Sequence, residues 1–254
     1  MKLLLDVGNT RIKWAWLDGG VLRDAGATPH HGTGAASLVV ALRASGHAAE
    51  RVIVASVAQA AVNESLIEAL GREFAVPVRL AVTEAAAAGV RNGYEDPAQL
   101  GVDRWLAMVA AFSRYRSAVC VVDAGTALTI DIVAADGAHQ GGVIIPGIAL
   151  MRDALIDRTG NTAWTANPSN PGMSAGDLLG RNTASCISRG TRLAAIGIVE
   201  ACQRAMCGAA GAGGTLVMTG GDGEALCAVL AVPAMLRPLL VLEGLAVRYG
   251  DAET

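Results

Sequence analysis

Aromatic side chains are scarce in this chain: two Phe, three Tyr and four Trp among 254 residues. Its core must be filled by aliphatic and small side chains instead. With 52% hydrophobic residues and 31 Gly, the composition suits a closely packed, turn-rich α/β protein. No block of basic residues occurs, and the net charge is −3; direct nucleic-acid binding is disfavoured. No uninterrupted apolar run reaches the roughly 20 residues of a membrane span. The apolar start, Leu3 to Leu5, breaks at Asp6 and is too short for a signal peptide. The five cysteines are odd in number and form no Cys-x-x-Cys pair, which points to reduced thiols and a cytoplasmic location.

Several familiar site patterns are missing too. There is no Gly-Lys-Ser/Thr phosphate loop. The run Gly221 to Leu226 lacks the last Gly of a dinucleotide fingerprint. Gly172-Met173-Ser174-Ala175-Gly176 has the spacing of a hydrolase nucleophile elbow. It follows Pro168-Ser169-Asn170-Pro171 rather than a strand, and all four His lie upstream, so the match is accidental. His30 and His31 have no second ligand pair at metal spacing, which leaves a zinc site without support.

What the chain does have is one stretch used twice. Leu3-Leu4-Leu5-Asp6-Val7-Gly8-Asn9-Thr10 is echoed by Cys120-Val121-Val122-Asp123-Ala124-Gly125-Thr126-Ala127. Each is a buried-strand run, then Asp, one further residue, Gly, and a second strand-like run. Asp-x-Gly suits a sharp turn, because Gly takes backbone angles that a Cβ forbids. Bare amides around Gly8, Asn9 and Thr10 can also point at an anion. Thr10 adds a hydroxyl and Lys13 a point charge. Asp6 cannot hold phosphate directly, but it can hold Mg²⁺ through water. A single copy reads as an ordinary tight turn; two copies favour a phosphate clamp.

Around these hairpins the pattern predicts three antiparallel strands, then α and β in alternation: helices over 33–44 and 63–74, strands over 51–56 and 76–80. Residues 89–104 break the pattern. Tyr94 sits in a loop, and Gly101-Val102-Asp103-Arg104 opens a helix continuing to 115. Taken alone, Tyr94 reads as a surface ring and Asp103 as a first-turn carboxylate favoured by the helix dipole. The second half repeats the plan. Three strands run to Gly147, helices follow over 148–157 and 182–207, an irregular loop covers 159–172, and a strand over 215–219 ends in Gly220-Gly221. That last turn reads as a plain connection or as a seat for a nucleotide's sugar or base. A helix over 239–249 closes the chain. The fold class is α/β, two βββαβα-type halves with the hairpins across a cleft. The halves are 1–115, with the first hairpin, and 116–254, with the second hairpin and the Gly-Gly turn.

The duplicated hairpins and the Gly-Gly turn resemble the superfamily of acetate kinase, sugar kinases, heat-shock ATPases and actin, whose fold is a duplicated ribonuclease-H-like (actin-like ATPase) unit. More narrowly, four stretches resemble type III pantothenate kinases. They are Asp6 to Thr10; Tyr94 with Gly101 to Arg104; Asp123 to Ala127; and Gly141-Gly142 with Pro146-Gly147. The resemblance implies an ATP-dependent phosphotransferase that converts pantothenate to 4'-phosphopantothenate, the first step of coenzyme A biosynthesis. Asp6, Val7, Gly8, Asn9, Thr10, Arg11, Ile12 and Lys13 would hold the ATP phosphates, Asp6 by way of Mg²⁺, with Thr126 touching them from the second hairpin. Tyr94, Gly101, Val102, Asp103 and Arg104 would bind pantothenate, Asp103 as the base and Arg104 on the carboxylate. Thr183 matches a further substrate contact, within its own subunit or across a homodimer. Asp123 would sit at a K⁺ or NH₄⁺ site, although Ala124 stands where many relatives carry Phe. Two other readings stay open: a Bvg accessory factor-like regulator with a kinase fold, or a kinase for another small hydroxy acid.

Overall fold

A computed structural model of the chain describes residues 1–30, 34–159, 179–210 and 213–250. Nearly all of the 159–172 loop and the whole 172–176 elbow match lie outside them.

In chain order the elements are β1 (Lys2–Val7), β2 (Arg11–Asp18), β3 (Val21–Pro29), α1 (Gly34–Ala44), β4 (Arg51–Ser56), α2 (Ala60–Phe74), β5 (Val78–Leu80), β6 (Ala86–Ala87) and β7 (Val90–Arg91). A 3₁₀ turn (Pro97–Gln99) precedes α3 (Val102–Tyr115). Then follow β8 (Val119–Ala124), β9 (Ala127–Val133), β10 (His139–Pro146), α4 (Ile148–Thr159), α5 (Thr183–Ala210), β11 (Thr215–Thr219), α6 (Gly223–Cys227), β12 (Met235–Leu236) and α7 (Leu240–Tyr249). The two five-stranded sheets have the orders β3-β2-β1-β4-β5 and β10-β9-β8-β11-β12. The same order twice is what a duplicated unit requires. In each, the strand that carries the Asp-x-Gly motif is antiparallel to the next strand and parallel to the one beyond the helices.

Contacts divide the chain into two compact units. The first holds Met1–Arg116, Gly137–His139 and the C-terminal helix α7; the second holds Ser117–Asp136 and Gln140–Pro238. In the first unit the side chains of β1 alternate between two faces. Leu3, Leu5 and Val7 enter a core with Leu38 and Leu42 of α1 and Leu66 and Leu70 of α2. Leu4 and Ile53, also fully buried, therefore face the other side, where α3 and α7 pack on β1 and β4. A strand buried on both faces reads as a continuous apolar run, as Leu3-Leu4-Leu5 does.

Helix α2 starts at Ala60, three residues before the apolar spacing suggests. Asn63 does not cap it; its side chain accepts from Ser56 Oγ (2.6 Å) and donates to the Ala58 carbonyl (3.2 Å). The two-residue strands β6, β7 and β12 had no pattern to announce them.

Helix α7 is tied down strongly. Arg248 pairs with Glu84 through two parallel bonds of 2.6 and 2.8 Å. Lys2 Nζ donates to the carbonyls of Tyr249 and Gly250 at 3.0 and 2.7 Å. Gly244 lets α7 cross α3 at backbone distance: a Cβ there would collide with the Leu106 carbonyl. We expect Gly244→Ala to lower stability by about 1–3 kcal/mol, the usual range for overpacking. It would show as a lower urea midpoint at unchanged slope. An unaltered midpoint would mean the crossing yields easily. Among the described residues, no helix is long and apolar enough to cross a membrane.

Candidate active site

The alternation that buries Leu4 also aims Asp6. It shares the face of β1 on which α3 and α7 pack, and it lies opposite Lys13 in the β1–β2 register. Both side chains are half-buried at the root of the hairpin, while Asn9, Thr10 and Arg11 at its tip are exposed. Gly8 N–H donates to the Arg11 carbonyl (3.0 Å), closing the turn. His30 braces it from β3's end. Its amide donates to the Thr10 carbonyl at 2.9 Å, and its Nδ1 lies 2.7 Å from the Gly8 carbonyl. A carbonyl only accepts, so Nδ1 carries a proton.

The reason for glycine in the hairpins differs from the expected one. Neither Gly8 nor Gly125 has a positive φ. A Cβ would meet nothing closer than the Arg11 carbonyl at 3.4 Å for Gly8, or Asp123 Oδ1 at 3.5 Å for Gly125. The fold tolerates a side chain at both places. Glycine leaves the backbone there without a Cβ cover, not in an unusual angle.

The start of α3 is set at the same edge of the sheet. Ala81 N–H continues the β5 ladder onto the Val54 carbonyl (2.8 Å), and Thr83 Oγ1 then donates to the Leu100 carbonyl (2.7 Å). Residues 100–104 thus stand where the parallel strands β4 and β5 end. Because β1 runs parallel to β4, with Val7 beside Ser56, the first hairpin stands there as well. Ligands of open α/β sheets collect at this carboxyl edge. Asp103, half-buried in the first turn of α3, accepts from the Arg104 amide at 2.8 Å. Arg104 is buried, and its Nη1 donates to the Tyr94 hydroxyl at 3.0 Å. Its guanidinium carbon lies 5.8 Å from the centre of the Tyr94 ring. Tyr94 in turn stacks on His139, with centroids 5.8 Å apart and planes 13° from parallel. The first unit therefore brings together Tyr94, Asp103 and Arg104, and it sets Asp6 and Lys13 on the same edge. Val7, Ile12 and Val102 turn their side chains into the core, so only their backbone can face a ligand.

In the second unit, Asp123 is the last residue but one of β8, beside Thr129 of β9 and Thr219 of β11. Gly125 N–H donates to the Ala127 carbonyl (3.0 Å), and the carbonyl of exposed Thr126 accepts from Gly147 N–H (2.9 Å). The Gly-Gly turn lies directly on this hairpin. Asp222 N–H reaches the Ala124 carbonyl at 2.9 Å. Gly220, at φ +90°, sits where a Cβ would strike Ala124 and the Asp123 carboxylate. The two hairpins are not identical. Asp6 pairs with Lys13 but Asp123 with Thr129, so the first loop is one residue longer. Thr183 is exposed at the first position of α5. Asn182 Oδ1 accepts from the Ser185 amide (2.8 Å) while Ser185 Oγ accepts from the Asn182 amide (3.1 Å), a reciprocal cap.

The bracing of the hairpin by His30 and the stacking of His139 on Tyr94 were not foreseen. Both contacts join residues far apart in the chain, and spacing along the sequence carries no signal of them.

Among known proteins, the family model described as type III pantothenate kinase matches residues 2–205. A type III pantothenate kinase from Halorhodospira halophila is 40% identical over 250 residues, covering 96% of each chain. Among solved structures, a Campylobacter jejuni protein described as a Baf family transcriptional activator is 21% identical with a TM-score of 0.57, covering 96% of this chain and 94% of that one. A ROK family glucokinase from Streptomyces griseus, solved with glucose and AMPPNP, is 12% identical with a TM-score of 0.50, covering 96% and 97%. These two likenesses place the fold, a duplicated α/β architecture shared with the sugar kinases.

Proposed function

The chain belongs to the type III pantothenate kinase family, and from that premise we propose that it transfers the γ-phosphoryl group of ATP to the primary hydroxyl of pantothenate, the first step of coenzyme A biosynthesis. The observation that carries the reading beyond membership is the pair of hairpin glycines. Each follows an Asp at a strand end, and the fold itself does not need either of them. A glycine that internal packing leaves room around suits an external group pressed against the backbone.

In this reading the hydroxyl oxygen of pantothenate bonds to the γ-phosphorus, the bond to the β–γ bridging oxygen breaks, and ADP leaves. Such transfers depend on positioning and charge neutralisation. Amides of Asn9 and Thr10 and the Lys13 ammonium hold phosphate oxygens over the bare Cα of Gly8, whose own amide closes the turn, and Thr126 contacts them from the second hairpin. Asp103 accepts the hydroxyl proton. Arg104 grips the carboxylate of pantothenate from its buried seat beside Tyr94, with amides of Gly101 and Val102 nearby and Thr183 adding a contact. Asp6 fits a Mg²⁺ ligand: it is a half-buried carboxylate at a strand end. Among the described residues no three His, Cys, Asp or Glu side chains converge to hold a metal alone, so the ion would draw its other oxygens from nucleotide and water. Bound there, it would neutralise phosphate charge. Asp123, between Thr129 and Thr219, fits a K⁺ or NH₄⁺ ligand in the same way.

A homodimer would cover the apolar side chains that β10 and α4 leave exposed, Ile144, Leu150 and Leu155 among them. A cytoplasmic location agrees with the free cysteines. Burial, reinforced by Cys202, Asp131 and Cys207, pushes the Cys120 thiol up to about 12. That thiol is a packing group, not a nucleophile.

The test is a nucleotide-coupled assay with pantothenate in a panel of small hydroxylated acids. ADP release confined to pantothenate supports the reading. Preferential turnover of another acid would make the protein a related kinase, and ATP binding without any turnover would favour a regulator. We also expect Arg104→Lys to raise the pantothenate KM about tenfold or more, because an ammonium cannot reproduce the two-pronged grip of a guanidinium. The KM for ATP should stay within about twofold. An equal rise in both would assign Arg104 to holding the loop.

A further inference from the structure

The stack on Tyr94 comes from an unexpected part of the chain. His139 is the first residue of β10, yet Gly137–His139 belong to the first unit. They run beside residues 89–93, with a parallel bridge between Arg91 and Ala138. Arg91 N–H donates to the Gly137 carbonyl at 2.8 Å. Two glycines allow the approach: a Cβ on Gly137 would collide with the Gly89 carbonyl, and one on Gly93 with the His139 carbonyl. At the end of this strap the His139 ring is 4% exposed. Its Nδ1 faces the Gly93 amide at 3.4 Å, and its face lies on Tyr94. The amide can only donate, so Nδ1 is on the accepting side of that contact.

Tyr94 is left with little freedom. Its amide is fixed by Asn92 Oδ1 at 2.9 Å, its ring by His139, and its hydroxyl by Arg104 at 3.0 Å. Stacking on His139 holds the ring against swinging away, and the direction of the Tyr94 ring axis determines where its hydroxyl meets the Arg104 fork. We propose that His139 is a positioning residue for the pantothenate site: by stacking on Tyr94 it orients the Arg104 guanidinium toward the substrate carboxylate. This rests on the substrate reading above and adds to it a residue that acts through another. A misdirected fork weakens a bidentate grip without touching the nucleotide, so the effect is confined to one substrate.

Three variants separate the ring from the acceptor. His139→Ala removes both, His139→Asn keeps an acceptor near the Nδ1 position without the ring, and His139→Phe keeps a flat ring without the acceptor. We expect Ala and Asn to raise the pantothenate KM about tenfold, as a slightly misplaced binding group does, with the ATP KM and the saturated kcat within about twofold. Phe should stay within about threefold of the unmodified protein, since stacking needs only a ring face. In a Tyr94→Leu background, His139→Ala should add much less than it does alone. A purely structural His139 would lower the melting temperature and move both KM values together, which would overturn the proposal, as would rescue by Asn but not Phe. Should His139→Ala fold poorly, the comparison of Phe with Asn decides. Turnover of pantothenate by the unmodified protein with no change in any His139 variant would sink the positioning role alone. No turnover by the unmodified protein would remove the substrate reading and the role with it.

Discussion

Asp103→Asn should lower kcat by about 10²–10⁴-fold, the usual span for a positioned acid–base group. The substitution is nearly silent structurally. Asp103 Oδ1 accepts from the Arg104 amide at 2.8 Å, and the amide oxygen of Asn can accept the same bond, so the start of α3 is kept. What goes is the negative charge. In the first turn of a helix that charge is favoured by the dipole, which keeps the carboxylate ready to accept a hydrogen bond from the substrate hydroxyl. Any carboxylate is a weak base for a free alcohol. That matters less when the proton leaves late, as a loose phosphoryl-transfer transition state allows. ATP affinity and oligomeric state should survive, and pantothenate affinity should change little. The measurement is kcat beside calorimetric binding of both ligands, on protein whose fold is checked by circular dichroism. Near-normal turnover would assign the proton to another acceptor.

Asp6→Asn should abolish measurable turnover at any K⁺ concentration, whereas Asp123→Ala should leave activity whose K⁺ dependence is altered. The two carboxylates hold matching places in matching sheets, yet their neighbours differ. Asp6 faces Lys13 in a loop that is one residue longer and carries Asn9 and Thr10. Asp123 faces Thr129 and Thr219, and the Gly-Gly turn presses on it. A basic, polar loop suits phosphate, whose oxygens can share a divalent ion with the carboxylate beside it; a carboxylate flanked by threonines suits a weaker monovalent site. Titrating Mg²⁺ and K⁺ against each variant separates the roles. The same dependence in both variants would show that the division is wrong.

Most of the sheet framework was legible in the sequence because buried parallel strands leave continuous apolar runs. Leu3-Leu4-Leu5 and Val119 to Val122 could hardly be anything else, and the Asp-x-Gly echo revealed the repeat. The helix that Asp103 and Arg104 open was legible too, because its apolar face is regular. What sequence could not convey was the burial of Arg104, because a long charged side chain reads as solvated unless its partner is known, and that partner, Tyr94, lies in an irregular loop. His139 was hidden for a similar reason. Its partner is 45 positions upstream of it, and the contact depends on two glycines whose role appears only when the backbones meet. Gly8 and Gly125 do not take the unusual backbone angles that tight turns suggest; these turns close at ordinary ones.

The placement of α7 has a consequence for how the polypeptide is made. Strands β1 and β4 and helix α3 leave the ribosome early, with their α7-facing sides still uncovered. Their cover is the segment around 240–250, fastened by Gly244 against Leu106, Arg248 to Glu84, and Lys2 to the carbonyls of Tyr249 and Gly250. Every residue of the second unit must be translated before that cover emerges. At about 5–20 residues per second the wait is on the order of ten seconds. The unit begun first is therefore finished last, and its nascent form has an open apolar face for the whole interval.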